Sequence, residues 1–138
     1  MKAYPRHPKA RGDLTEIRFL LMAAACGLVV CKPWGDNQPF DFLVYCKRTQ
    51  RTFRVQVKSG TWRHRHGYAV ITKRANDQRY TRRDIDFVAA YVIPANAWYI
   101  VPIGALKGRK TIYVYPTDRP SRGGMYESYR ESWQLLRK

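Results

Sequence analysis

Asp41 stands between Phe40 and Phe42, in an apolar run that continues to Cys46. A carboxylate among such neighbours needs a hydrogen bond, a counter-charge or a metal ion, because an uncompensated buried charge is costly. Gln56 and Lys58 follow at alternate positions of the segment RTFRVQVKSG, residues 51–60. Its alternation places Phe53, Val55 and Val57 on one face and Arg54, Gln56 and Lys58 on the other. Glu16 adds a second carboxylate upstream, in DLTEIRFLL. Two acids, an amide oxygen and a lysine are the parts that phosphodiester hydrolysis uses. Such oxygens hold a divalent ion such as Mg²⁺ against the phosphate, lowering the pKa of a bound water and offsetting the charge that develops. A lysine beside them orients that water and meets the same developing charge.

Elements of two kinds must carry these residues. In GDLTEIRFLLMAAACG, residues 12–27, Asp13 and Glu16 have capping-box spacing and Gly27 is a natural stop. Ile17, Leu20, Leu21 and Ala24 recur at helical spacing between them, so a helix is expected there. Residues 1–11, basic and with two prolines, read as an extended arm. Strands are expected at 28–32, 40–46, 51–60, 68–72, 86–93, 98–103 and 111–115. Residues 61–67, TWRHRHG, read as a basic aromatic loop, and residues 73–85 as polar connection. Tyr126, Tyr129, Trp133 and Leu136 are spaced as on a C-terminal helix over 125–137 and offer a core or dimer contact. Helix, strands, then helix predict one α/β domain over 12–138, with a mixed central β-sheet flanked by helices.

The chain has 138 residues, 45% of them hydrophobic, which is enough for one core and excludes a mainly disordered chain. No apolar run reaches the ~20 residues of a membrane span. The N-terminus has no apolar stretch behind its basic residues, so no signal peptide is expected. Three cysteines without C-x-x-C spacing argue against a disulfide framework or a zinc site and read as small buried hydrophobes. His64 and His66 lack a third ligand. A cytoplasmic location is the natural expectation. With 26 Lys and Arg against 10 Asp and Glu, the net charge is +16, and nucleic acid is the partner that such an excess suits. Trp62, Arg63, His64, Arg65 and His66 are candidates to grip a DNA backbone.

The motif Pro39–Phe40–Asp41, then Gln56–Val57–Lys58, with Glu16 on the preceding helix, resembles the PD-(D/E)XK nuclease superfamily. The stretch DIDFVAAYVIPANAWYIVPI, residues 84–103, is similar to the strands that follow in a bacterial subfamily. That subfamily includes group I intron homing endonucleases and resembles archaeal Holliday-junction resolvases in layout. The resemblance implies a restriction-endonuclease-like core and a Mg²⁺-dependent DNA endonuclease, with Mn²⁺ as a substitute. It implies that Asp41, Gln56, Glu16 and the Val57 carbonyl hold the metal and that Lys58 serves the water. Gln56 departs from the family's usual acid, which leaves two carboxylates in place of three and implies weaker metal binding. A Holliday-junction resolvase and an inactive DNA-binding module are the alternatives. Cutting both strands with one site per chain implies a homodimer or homotetramer.

Overall fold

The structure is a computed structural model that describes residues 4–117 and 124–138. Its first element is the helix α1 (Pro8–Ala25). Residues 8–11, expected as part of an extended arm, are its first turn. Proline is suited to that position, because its missing N–H would have no partner in the first turn anyway. Asp13 is therefore a mid-helix residue and caps nothing; it pairs with Lys9 one turn earlier at 3.2 Å. The helix ends as expected, with Gly27 just beyond it at φ +81°. The core-facing stripe is Thr15, Phe19 and Ala23, whereas Ile17 and Leu21 are 61% and 68% exposed.

Eight strands follow: β1 (Val29–Cys31), β2 (Phe42–Cys46), β3 (Arg51–Gly60), β4 (Trp62–His64), β5 (Gly67–Ile71), β6 (Phe87–Val92), β7 (Ala97–Pro102) and β8 (Thr111–Val114). A five-stranded sheet runs in the order β1-β2-β3-β6-β7. It is mixed: β3 and β6 are parallel, and the other neighbours are antiparallel. Every residue of β6 is buried, which explains its unbroken apolar sequence. Phe19 of α1 stacks on Phe42 at 5.4 Å and meets Trp98 edge-on at 5.8 Å, closing a core on one face of this sheet. A second core joins Val88, Ala90, Tyr99 and Val101 to Tyr68, Val70, Ile112 and Val114.

Those last four residues belong to a separate antiparallel sheet, β4-β5-β8. Residues 61–67, expected as a loop, are thus largely strand and turn, with Arg65 at φ 53°. β3 crosses β5 at Gly60, where a Cβ would lie 2.9 Å from the Ala69 carbonyl oxygen, so only glycine permits the approach.

The expected C-terminal helix is replaced by two 3-10 turns, Glu127–Tyr129 and Trp133–Arg137. The break falls at Glu131, which takes φ 50° and donates its N–H to the Trp98 carbonyl at 2.8 Å. The segment thereby covers the open edge of β7, a stronger demand than helical continuity. Tyr126, Trp133 and Leu136 are buried in the cores, which removes them as a dimer contact. Of the cysteines, Cys46 is buried as expected, Cys26 is half-buried and Cys31 is exposed. Among the described residues, no helix is long and apolar enough to cross a membrane.

Candidate active site

β2 joins the sheet at Phe42, opposite Val55. One further rung in that register would set residue 40 against Val57, but the chain turns away first. The Asp41 side chain takes over that rung: the Val57 N–H donates to Asp41 Oδ2 at 2.8 Å. The Asp41 N–H donates to the Val55 carbonyl at 2.9 Å. Asp41 therefore sits at the mouth of β2 rather than inside it, and the apolar neighbours in its sequence are the strand start it anchors.

Its other oxygen, Oδ1, accepts no hydrogen bond from the described residues. Asp41 also makes no ion pair among them, whereas Glu16, Asp77, Asp84 and Asp86 each hold a cation. Burial pushes the Asp41 carboxyl up to about 6, and the nearby Glu16 charge adds to the rise. The Val57 N–H, Lys32 and Lys58 pull the other way. The result is a carboxylate that is half-buried, fixed in orientation and short of positive charge.

Gln56 and Lys58 lie on the same face of β3, as their alternation predicts. Gln56 Nε2 donates weakly to the Val57 carbonyl at 3.4 Å, so its amide lies beside that oxygen. Lys58 Nζ donates to the Lys73 carbonyl at 3.2 Å and lies 5.6 Å from the centroid of the Tyr80 ring. Burial pushes the Lys58 ammonium down, and Asp41 opposes the fall. Tyr80 is itself pushed up to about 12, mainly by burial and next by the Asp41 charge.

Glu16 enters from the middle of α1. Its Oε1 accepts from Lys32 Nζ at 2.7 Å, and Lys32 also lies 4.9 Å from the centroid of the Phe42 ring. Glu16, Lys32 and Asp41 line one cleft with Asp36 and Gln38. The fold therefore gathers Glu16, Asp41, Gln56, Val57 and Lys58 at one end of β2 and β3. Trp62, Arg63, His64, Arg65 and His66 lie apart, on the β4–β5 hairpin of the second sheet. Lys32 and Tyr80 are site neighbours that sequence reasoning missed. Neither stands in a motif, and Lys32 meets Glu16 across 16 positions only because β1 returns beside α1.

Among the described residues, no group of three or more His, Cys, Asp and Glu gathers as a metal cage. Two carboxylates and two neutral oxygens are present instead, all hard donors suited to Mg²⁺ or Mn²⁺ rather than to Zn²⁺. The open Oδ1 of Asp41, with no cation paired to it, is the group that such an ion would satisfy. The donor set fits a divalent ion.

The sequence profile of the PD-(D/E)XK endonuclease family matches residues 6–136. This chain belongs to that family. Members of the PD-(D/E)XK endonuclease family generally use divalent metal ions, in keeping with the donors at this site. A solved structure of a bacterial homing endonuclease, I-Ssp6803I, superposes with a TM-score of 0.81 at 27% sequence identity. The match covers 95% of this chain and 91% of that one. No curated protein sequence matches the chain. The restriction-endonuclease-like core implied by the sequence is thus the fold observed.

Proposed function

We propose that this PD-(D/E)XK endonuclease is a Mg²⁺-dependent DNA endonuclease of the homing type. Asp41, Glu16 and the oxygens of Gln56 and Val57 hold the metal, and Lys58 positions the attacking water. The observation that carries this reading is Asp41, held by the Val57 N–H at 2.8 Å, unpaired at its other oxygen and charge-coupled to Lys58. When bound, the ion supplies a water of lowered pKa and a positive charge against the scissile phosphate. The chain's own residues do the rest. The Val57 N–H fixes Asp41 Oδ2, so the carboxylate is pre-oriented. β3 delivers Gln56 and Lys58 to the same side of the sheet. The Lys73 carbonyl and the Tyr80 ring hold the Lys58 ammonium in place.

The homing type is supported by likeness to the bacterial homing endonuclease. DNA as substrate is supported by the family and by the net charge of +16, since releasing counterions from phosphates favours binding. We assign Trp62, Arg63, His64, Arg65 and His66, all exposed on the hairpin, to the DNA contact. We assign a homodimer or homotetramer, because one site per chain must serve two strands. The exposed Ile17, Leu20 and Leu21 of α1 offer an apolar surface for that contact.

The test is to incubate the protein with linear duplex, supercoiled plasmid and a four-way junction, with and without Mg²⁺ or Mn²⁺. Metal-dependent cutting of duplex DNA at defined positions is expected. Cutting confined to the junction, or binding with no cutting in either metal, would overturn the reading. Light scattering on and off DNA checks the assembly, and a strict monomer in both states would refute it.

A further inference from the structure

Strand pairing sorts the second sheet into two faces. Trp62 stands opposite Ala69 and Ala69 opposite Tyr113, so these three form one row across β4, β5 and β8. Ile71 and Thr111 form the next row on the same side, and the His64 ring packs on Tyr113 at 4.5 Å between centroids. Tyr68, Val70, Ile112 and Val114 point the other way, into the core. Arg63 shares their side, with its guanidinium 3.1 Å from the Tyr68 hydroxyl. The outward face is apolar and aromatic yet open: Trp62 is 77%, Ile71 55% and Tyr113 41% exposed.

Cations border this face. Arg11 shares a cleft with Trp62, Ile71 and Thr111, and Arg109 shares one with Tyr113 and Met125. Arg65 occupies the hairpin tip. Asp77, at the far ends of β5 and β8, is already held by Lys73 at 2.9 Å and Lys110 at 3.2 Å. A second copy docked face to face here would set these same arginines against one another, whereas a polyanion complements them.

We propose that the outward face of β4-β5-β8 reads base edges in the major groove of duplex DNA. The proposal rests on the endonuclease reading above. A major groove admits a two-stranded ribbon, and apolar side chains there contact thymine methyl groups while Thr and Tyr hydroxyls meet polar edges. The sheet is also tethered to the cleavage site, because Lys73, just past β5, accepts from Lys58 Nζ at 3.2 Å. From there to Gly67 the strand runs about 20 Å at roughly 3.3 Å per residue. A duplex rises about 3.4 Å per base pair, so the hairpin reaches about six base pairs from the bond cut.

The experiment selects bound sequences from a pool of duplexes with a randomised centre, using the wild-type chain, Ile71→Thr and Tyr113→Thr. Both replacements keep strand-compatible residues at exposed positions, and thermal melts confirm folding; Trp62→Ala serves where either fails. Wild-type cleavage in Mg²⁺ locates the cut. The wild type is expected to enrich a sequence block reaching about six base pairs from the cut. Ile71→Thr should lose discrimination by about tenfold to a hundredfold at roughly two base pairs from the cut and Tyr113→Thr at roughly four, with preferences elsewhere in the block retained.

Three outcomes would overturn the proposal: no sequence enriched by the wild type, variant profiles equal to the wild type, or equal weakening on every sequence. A changed association state of the variants without DNA would overturn it too, by assigning the face to a second copy. Selection reads binding alone, so failure of the endonuclease reading shows separately, as a wild type that cuts no duplex.

Discussion

Lys32 Nζ donates to Glu16 Oε1 at 2.7 Å, so one of the two carboxylates of the site is already engaged by a cation of the chain itself. Any divalent ion that uses Glu16 competes with that ammonium. Lys32→Ala should therefore tighten Mn²⁺ binding. The gain is roughly two- to fivefold, since an exposed ion pair is worth at most about 1 kcal/mol. Isothermal titration checks this, and unchanged or weaker affinity would remove Glu16 from the ligand set.

Asp41→Asn keeps an acceptor for the Val57 N–H but removes the charge. It should fold like the wild type and lose cleavage by at least about 10²-fold, as should Lys58→Ala. Single-turnover rates on a cleaved duplex measure the loss, and gel shift shows whether DNA still binds. Wild-type rates in both variants would refute the site.

Gln56→Glu places a third carboxylate beside Asp41. Divalent affinity should rise, because charge is added to the donor set. In the metal-free protein the two acids repel and push the Asp41 carboxyl still higher. A Mg²⁺ titration showing no gain would exclude Gln56 as a direct ligand.

The Asp41 carboxyl lies at about 6 in the folded chain against an ordinary 3.8. The folded protein therefore holds that proton more tightly than the unfolded one. Without metal, stability falls as pH rises through the interval from 3.8 to about 6, by an amount on the order of 3 kcal/mol. Asp41→Asn should flatten that segment of a stability–pH curve. Metal binding takes the deprotonated form, so Mn²⁺ affinity should rise about tenfold per pH unit below 6 and level off above it. Titrations at pH 5, 6, 7 and 8 decide the sign.

Arg54 anchors the connection between β5 and β6. Its guanidinium reaches Asp86 at 3.0 Å and the Arg82 carbonyl at 2.8 Å, and it also donates to the Arg83 carbonyl. Arg54→Ala should destabilise the fold by about 1–3 kcal/mol, because Asp86 loses a charged donor. Chemical denaturation measures it. Cleavage at saturating metal should survive, since Arg54 touches no site residue.

β3 was legible residue for residue because one of its faces is buried and the other polar, which imposes a period of two. The end of α1 was legible from Gly27. Its start was not, because Pro8 looks like a helix breaker and is in fact its first residue. Ile17, Leu20 and Leu21 carry the helical period yet stand exposed, while the smaller Thr15 and Ala23 face the core with Phe19. The hairpin Trp62–His66 lacked an alternating apolar signal because β4 is exposed along its whole length. The C-terminal aromatics have helical spacing, but pairing with the edge of β7 overrides it at Glu131. Gln56 and Lys58 could be placed together because strand alternation fixes their side, whereas Asp41, which precedes β2, joined them only through the motif resemblance. Lys32 and Tyr80 could not, since only the folded chain brings them near.

The carboxylate that closes the β2–β3 ladder also gives the molecule a built-in gauge. Most amides of β3 are locked between two neighbouring strands and trade their protons for deuterium only when the whole domain opens. The Val57 amide is locked by a side chain instead, a carboxylate that titrates. Its exchange rate therefore tracks the state of Asp41 rather than the state of the fold. That one amide, read against those of its strand neighbours, would report the protonation of Asp41 and, under the proposed function, the arrival of a cation.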